Sequence, residues 1–178
     1  MLTNNEFYYS YTGEPIGISN TVTTSSVVKT FSTFLVKVED PALTPTKATE
    51  GSAGFDLRAK KETVLPNCER VLVGTGVRAK IPKDHVGLLF PRSSLSKQGI
   101  TMTNSVGVID SDYRGEIMAS LMYRGEHMSW IIPKHERIVQ LVIVPVPRLE
   151  VSVDKYSTEE QWNNTARGTG GFGSTGKT

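Results

Sequence analysis

Five short segments of the sequence carry side chains that can bind phosphate or transfer a proton. The first, 53–59 (AGFDLRA), places the carboxylate of Asp56 two residues before the guanidinium of Arg58. Because side chains alternate along a strand, the two groups are predicted to point to the same side. Taken alone, the pattern fits an ordinary surface strand with a salt bridge better than it fits a functional pair.

The second segment, 91–97 (PRSSLSK), has the composition of a phosphate cradle. Arg92 precedes Ser93 and Ser94 at the predicted start of a short helix. Backbone N–H groups, the helix dipole and a forked donor would converge there on an anion. The structural alternative is that Ser93 or Ser94 caps the helix while Arg92 points to solvent.

The third segment, 104–116 (NSVGVIDSDYRGE), combines a turn with an acid and an aromatic ring. Its early asparagine and glycine predict a tight hairpin that exposes backbone N–H and C=O groups. Asp110 and Tyr113 follow, and a carboxylate beside a ring could act as a general base next to a stacked sugar. Asp112 is interpreted as a solvated turn residue.

The fourth segment, 134–143 (KHERIVQLVI), contains one polar residue on an apolar strand face. Strand alternation places Gln140 on the same side as Ile138 and Val142. A polar group in such surroundings needs hydrogen-bond partners, so Gln140 is either a satisfied core residue or part of a site.

The fifth segment, 167–178 (RGTGGFGSTGKT), is rich in glycine. Its last eight residues match the Walker A pattern, but a P-loop needs a following helix and the chain stops at Thr178, so we do not expect a P-loop NTPase. Glycines let backbone amides approach phosphate, Arg167 adds a positive charge, and Phe172 can stack on a base.

The elements that must position these segments are predicted to be strands. Short apolar runs, separated by Pro, Gly, Asn or Asp, are typical of an all-β sandwich, barrel or jelly roll. One short helix is predicted over 93–98, ended by Gly99. The predicted strands are 33–38, 54–59, 62–65, 70–73, 77–80, 87–90, 107–109, 116–123, 128–131, 137–144 and 151–153.

Three regions are expected along the 178 residues. Residues 1–30 are rich in Thr, Ser and Asn without a sustained period and are interpreted as an N-terminal extension. Residues 31–160 are predicted to form one β-domain, and 161–178, with five glycines, a flexible C-terminal arm.

Composition excludes several classes of function. The 20 basic and 18 acidic residues are scattered, which argues against nucleic-acid binding. One cysteine allows neither an intrachain disulfide nor a cysteine-based zinc site, and the three histidines lack metal-ligand spacing. No apolar run approaches a membrane span and the N-terminus lacks a signal-peptide pattern, so we expect an intracellular, soluble protein of the cytoplasm or nucleus.

In their order along the chain, the five segments resemble the motifs of the trimeric dUTPases, from about Phe31 to Thr178. The resemblance implies a jelly-roll-like distorted β-barrel and a homotrimer whose subunits share active sites closed by the C-terminal arm. It also implies Mg²⁺-dependent hydrolysis of dUTP to dUMP and pyrophosphate, by in-line attack of water on the α-phosphate. Such an enzyme removes dUTP from the DNA precursor pool and supplies dUMP for dTMP synthesis.

The resemblance also implies a role for each motif residue. Asp110 would orient or deprotonate the water, Ser93 would lie near the bridging oxygen, and Gln140 would contact the phosphates. Asp56 would hold a water of a Mg²⁺ ion that is chelated mainly by the substrate. The remaining substrate-binding residues are Arg92 and Ser94 for phosphate, Asn104, Gly107, Val108 and Ile109 for uracil, Tyr113 and Met118 near the sugar, and Arg167, Phe172, Gly173, Ser174 and Thr175 in the arm.

Two positions depart from the family pattern, because Pro91 and His135 stand where glycine is common. Two rival functions also stay open. A dCTP deaminase would need a base near cytosine C4, typically a glutamate deeper in the third segment. A non-catalytic nucleotide-sensing or signalling module would be expected to lack Asp110 or the arm.

Overall fold

The computed structural model describes residues 34–171. These residues form eleven strands and two short α-helices, so the all-β prediction is confirmed. A 3-10 helix, Pro41–Leu43, begins at Asp40, whose carboxylate accepts from the Ala42 N–H at 2.9 Å. The strands are β1 (Leu35–Val38), β2 (Phe55–Arg58), β3 (Thr63–Pro66), β4 (Arg70–Gly74), β5 (Val77–Lys80), β6 (His85–Pro91), β7 (Ile100–Met102), β8 (Gly107–Ile109), β9 (Met118–Tyr123), β10 (Ser129–Ile132) and β11 (Arg137–Pro145); the helices are α1 (Ser93–Lys97) and α2 (Glu159–Trp162).

All the strand pairs are antiparallel, and most join strands that are distant in sequence. The sheets have the orders β1-β5, β10-β3, β4-β9-β7 and β2-β11-β6-β8. Strands β6 and β11 form the longest ladder, from Val139 opposite Pro91 to Pro145 opposite His85. Such crossed connections are typical of jelly rolls rather than of simple up-and-down meanders.

Alternating side chains of these strands build one hydrophobic core. Strand β9 shows the pattern clearly, since Ala119, Leu121 and Tyr123 are buried whereas Met118 is exposed. Burial of each large apolar side chain contributes about 1.5–3 kcal/mol. Neither α-helix between residues 34 and 171 has the length and apolar character needed to cross a bilayer.

The predicted helix is present, but its serines do not cap it. Arg92 occupies the N-cap position without a side-chain capping bond, and Ser93 and Ser94 form the first turn. Gly99 follows the helix as predicted, with φ of +75°, and a Cβ there would lie 2.6 Å from the Arg124 carbonyl oxygen. The capping interpretation is therefore wrong, and both serines remain exposed.

The secondary structure differs from the predictions at three places. The strand predicted over 151–153 is wrong: Val151 is 96% exposed, and residues 146–155 pair with no strand among residues 34–171. Strand β7 was not predicted; it begins directly after Gly99, where only the end of the helix was predicted. Helix α2 adds a second helix at the edge of the predicted arm, and its Thr158–Gln161 capping box could have revealed it.

Candidate active site

The four-stranded sheet carries or adjoins four of the five segments. Asp56 lies on β2, Gln140 on β11 and Ile109 on β8, and Arg92 directly follows β6. Gln140 is opposite Asp56 on one side and opposite Phe90 on the other. Residues more than 80 positions apart in sequence are therefore neighbours across adjacent strands.

Asp56 is a buried carboxylate held by two arginines. Its side chain is 6% exposed, with Oδ1 3.0 Å from Arg92 Nε and Oδ2 3.2 Å from Arg137 Nη1. Each carboxylate oxygen therefore has a cationic partner, which offsets the cost of burying a charge. Arg58, which the alternation placed on the same side, instead donates to the His135 carbonyl oxygen at 3.0 Å.

Arg137 is thus a site residue that sequence reasoning missed. It lies in the fourth segment, three residues before Gln140, and this position was the signal that could have found it. Glu136 beside it lies close enough to Arg92 to interact with its charge. Burial raises the pKa of Glu136, and the positive charge of Arg92 acts in the opposite direction.

The turn after β6 presents donors to solvent. The backbone N–H of Arg92 is bonded to the Ile138 carbonyl at 3.2 Å, which fixes the start of α1. Within the described part of the chain, the N–H groups of Ser93 and Ser94 have no hydrogen-bond acceptor. Two amides, two hydroxyls and the Arg92 guanidinium are thereby grouped beside Asp56, which is an arrangement that suits an anion.

Gln140 faces the glycine that precedes β2. A Cβ built on Gly54 would lie 3.2 Å from both Gln140 Cβ and Val142 Cγ2, so the two side chains share a side as predicted. Among residues 34–171, no hydrogen bond is made by the Gln140 amide. The predicted side for Ile138 is wrong, because a register shift between Arg137 and Val139 breaks the alternation and Ile138 is fully buried.

The third segment forms a tight turn, but the hairpin predicted for it is wrong, because β7 before the turn pairs with β9 whereas β8 after it pairs with β6. Ser105 has φ of +58°, and the Val106 N–H bonds to the Asn104 carbonyl at 2.5 Å. Gly107 is opposite Leu89, and a Cβ there would lie 3.0 Å from Leu89 Cβ. Glycine is therefore favoured by the close packing between β8 and β6, independently of any ligand.

Asp110 and Tyr113 form one turn at the far end of β8. The Tyr113 N–H bonds to the Asp110 carbonyl at 3.1 Å, and the Tyr113 hydroxyl donates to the Glu116 carbonyl at 2.9 Å. A Cβ on Gly115 would overlap the tyrosine hydroxyl, so the ring lies over that glycine. Asp110 is exposed, Tyr113 is 43% exposed, and Asp112 lies in the exposed turn as predicted.

A single chain does not bring Asp110 beside the predicted phosphate-binding residues Arg92, Ser93 and Ser94 of the same chain. Ile109 is opposite Gly87, five residues before Arg92 along β6. At about 3.3 Å per residue, this separation is about 16 Å. Asp110 lies one residue farther from Arg92 than Ile109 does, near the end of β6 that is opposite to Arg92.

The other predicted site residues lie at the edges of the described structure. Met118 begins β9 and is 42% exposed, and Val108 on β8 is 62% exposed. Arg167 is exposed in a turn whose Gly170 N–H bonds to its carbonyl at 3.1 Å. The predicted residues Phe172, Gly173, Ser174 and Thr175 lie outside the described residues, as do residues 1–30.

The two departures from the family pattern have different structural contexts. Pro91 ends β6 opposite Val139. His135 has φ of +67°, in the left-handed region that favours glycine, and its N–H bonds to the Ala59 carbonyl at 2.8 Å. Histidine is one of the non-glycine residues found there more often than most.

The described residues contain no group of three or more His, Cys, Asp or Glu side chains that could form a metal cage. Asp56 is compatible with an indirect role. A carboxylate offers about four lone-pair sites, and each of its oxygens has one arginine contact. Mg²⁺ commonly keeps its waters and binds substrate phosphates, so a single carboxylate that holds one of those waters suits this ion.

Comparisons with known proteins agree on one family. The dUTPase family model matches residues 40–176. A deoxyuridine 5′-triphosphate nucleotidohydrolase of Nautilia profundicola is 42% identical over 142 residues, which cover 79% of this chain and 96% of that protein.

Two solved structures extend the comparison. The dUTPase of Streptococcus mutans has a TM-score of 0.62 and 34% identity, covering 66% of this chain and 98% of that one. A mutant dUTPase of Staphylococcus bacteriophage 80alpha, solved with dUpNHpp, has a TM-score of 0.69 and 28% identity, covering 83% of this chain and 100% of that one.

Proposed function

The chain belongs to the dUTPase family, and from that membership we propose that it is a dUTP diphosphatase, which hydrolyses dUTP to dUMP and pyrophosphate. The observation that carries the proposal is the sheet register that groups Asp56, Arg92 and Gln140 beside the exposed start of α1. This activity removes dUTP from the DNA precursor pool and supplies dUMP for dTMP synthesis.

The phosphate end of the substrate is assigned to the start of α1. Arg92 and the hydroxyls of Ser93 and Ser94 bind phosphate oxygens, with Ser93 near the bridging oxygen where charge develops on the leaving group. The support is that the N–H groups of both serines lack acceptors among the described residues and that their side chains are exposed. Gln140, whose amide is likewise unbonded there, contacts the same phosphates.

The base and sugar are assigned to the third segment. Strand β8 is the last strand of its sheet, so one edge of its backbone has no partner within residues 34–171. Backbone groups from Asn104 to Ile109 can therefore pair with the edge of uracil, and cytosine would leave a donor or acceptor unpaired. Tyr113 packs under the deoxyribose, where a 2′-hydroxyl would not fit, and Met118 adjoins it.

Water attack on the α-phosphorus is assigned to Asp110, and pyrophosphate is the leaving group. The exposed carboxylate of Asp110 can orient the water molecule and accept a proton from it. Asp56 would hold a water of Mg²⁺, and the ion, when bound, neutralises charge on the triphosphate. Arg92 and Arg137 hold the Asp56 carboxylate in position through its two oxygens, and Arg92 does so in addition to binding phosphate.

The separation of about 16 Å between Ile109 and Arg92 supports a site built from several copies of the chain. We assign the protein to a homotrimer in which Asp110 of one copy meets Arg92 of another copy. Arg167, Phe172, Gly173, Ser174 and Thr175 belong to the arm that closes over the nucleotide, with Phe172 stacked on uracil.

The test is release of pyrophosphate from dUTP, dCTP, dTTP and UTP in the presence of Mg²⁺. We expect dUTP to be cleaved in preference to the other three. Asp110→Asn keeps the size of the side chain and should remove most of the activity. Equal cleavage of dUTP and UTP, release of ammonia from dCTP, or full activity of the Asn variant would contradict the assignment.

A further inference from the structure

The carboxylate of Glu116 ties the turn that carries Tyr113 to two other parts of the chain. Its Oε2 accepts from Lys60 Nζ at 2.8 Å, and its Oε1 accepts from the Gly76 N–H at 2.8 Å. Lys60 follows β2, and Gly76 lies in the turn between β4 and β5. Both oxygens of one side chain are therefore used to fix the position of the third segment.

The backbone around this contact is shaped to admit it. A Cβ on Gly74 would lie 2.5 Å from Glu116 Oε1 and 2.8 Å from Lys60 Cε. Gly76 has φ of +66°, and a Cβ there would lie 2.5 Å from Leu43 Cδ1. The absence of a side chain at Gly74 leaves room for the carboxylate and for Lys60, and the positive φ of Gly76 favours glycine where the N–H meets that carboxylate.

The ion pair is more shielded than an ordinary surface salt bridge, because the side chains of Lys60 and Glu116 are only 28% and 23% exposed. Burial acts to raise the pKa of Glu116, but Lys60 and the Gly76 N–H outweigh it and hold that pKa below its ordinary value. The hydrogen bond to Glu116 is the largest cause that raises the pKa of Lys60. Both groups are therefore charged around neutral pH.

The position of Glu116 is transmitted to Tyr113 by its backbone. The Tyr113 hydroxyl donates to the Glu116 carbonyl at 2.9 Å. The Tyr113 N–H donates to the Asp110 carbonyl at 3.1 Å, and the Tyr113 carbonyl accepts from Arg114 Nη1 at 2.8 Å, so these other bonds stay within the same turn. The next residue, Ile117, is anchored separately, with its N–H bonded to the Val77 carbonyl at 2.8 Å. Loss of the carboxylate would therefore loosen the tyrosine turn while β9 remains in place.

We propose that Glu116 is a positioning residue for the sugar subsite, which acts through Lys60 and Gly76 to fix the ring of Tyr113. This inference rests on the proposed function, in which that ring packs under the deoxyribose. A Tyr113 ring held in one position against the deoxyribose excludes a 2′-hydroxyl, whereas a ring that can shift by a fraction of an ångström admits it. Glu116 therefore contributes to discrimination between dUTP and UTP without touching either nucleotide.

The experiment compares kcat/KM for dUTP and UTP in the wild-type protein, Glu116→Gln and Lys60→Met. Gln keeps the shape and one oxygen for Gly76 but loses the charged bond to Lys60; Met keeps the stem of Lys60 and loses the ammonium. We expect each to lower the preference for dUTP over UTP by about five- to tenfold, which is less than the full effect of losing one charge-assisted hydrogen bond because the contact acts on the ring only indirectly.

The matched control is Glu39→Gln. Glu39 contacts the same ammonium at 3.3 Å but is 61% exposed and lies outside the tyrosine turn. This variant should keep the wild-type preference for dUTP, which would show that the effect belongs to the Glu116 contact.

A purely structural role would lower the melting temperature and reduce the rates with both nucleotides by the same factor. An unchanged preference in Glu116→Gln would therefore overturn the inference. If that variant does not fold, an unchanged preference in Lys60→Met decides against it in the same way. A wild-type protein with no preference for dUTP would instead refute the proposed function.

Discussion

Replacing Arg137 by Met removes one of the two cations that neutralise the buried carboxylate of Asp56. The Asp56 side chain is 6% exposed and that of Arg137 is 40% exposed, with 3.2 Å between Nη1 and Oδ2. Coulomb's law gives about 1 kcal/mol for unit charges at this distance in water and about 5 kcal/mol at an effective dielectric constant of 20. Because Arg137 is partly solvated and Arg92 remains in place, we expect a coupling energy of about 1–2 kcal/mol.

A double-mutant cycle measures this coupling. The free energy of unfolding in urea is determined for Arg137→Met, Asp56→Asn and the double variant at one protein concentration, since assembly makes stability depend on concentration. The matched control cycle replaces Arg58 by Met together with Asp56→Asn. Arg58 donates to the His135 carbonyl and not to Asp56, so its coupling should be below about 0.5 kcal/mol.

The two cycles distinguish the observed register from simple alternation along β2. Stronger coupling of Asp56 to Arg58 than to Arg137 would refute the pairing described above. We expect the same order of effects in the kinetics. Arg137→Met should reduce kcat/KM for dUTP, because the Asp56 carboxylate is then held by one arginine instead of two, whereas Arg58→Met should have a smaller effect.

Gly107→Ala should lower the free energy of unfolding in urea by about 1–3 kcal/mol, because the added Cβ would lie 3.0 Å from Leu89 Cβ. The control Gly51→Ala should be tolerated, because a Cβ there has no atom within 4 Å. Equal effects of the two substitutions would contradict the packing argument. Because the folded state lowers the pKa of Glu116, the ionised carboxylate stabilises the fold fully above the unfolded pKa, near 4.5. That stabilisation is lost as the pH falls through the lower pKa of the folded state. The melting temperature of Glu116→Gln should therefore depend less on pH below about 4.5 than the melting temperature of the wild type. Truncation after Gly168 should remove most of the dUTPase rate while size-exclusion chromatography still shows a trimer, and a truncated protein with full rate would refute the role of the arm.

Much of the secondary structure follows from local pattern. Ten of the eleven strands lie where short apolar runs and turn residues predicted them, and Gly99 ends α1 with the positive φ that glycine permits. The errors have local causes too. Strand β7 begins directly after Gly99, where only the end of the helix was predicted, and 151–153 alternates correctly but pairs with no strand among the described residues.

The bulge in β11 shows a second limit of pattern reading. Alternation placed Ile138 beside Gln140, but the register shift between Arg137 and Val139 turns Ile138 into the core. A bulge depends on how two strands meet, and neither strand alone encodes it clearly.

The sequence by itself determined the all-β class, the positions of the five motifs and, through their resemblance to dUTPases, the expected chemistry. These properties depend on local residue type and spacing, which are visible along one chain. The tertiary structure decided which charges meet: Asp56 pairs with Arg92 and Arg137 rather than with Arg58, and Asp110 lies at the far end of β6 from Arg92. Those contacts depend on strand order and register between segments up to about 80 residues apart, so they arise only when the sheet forms.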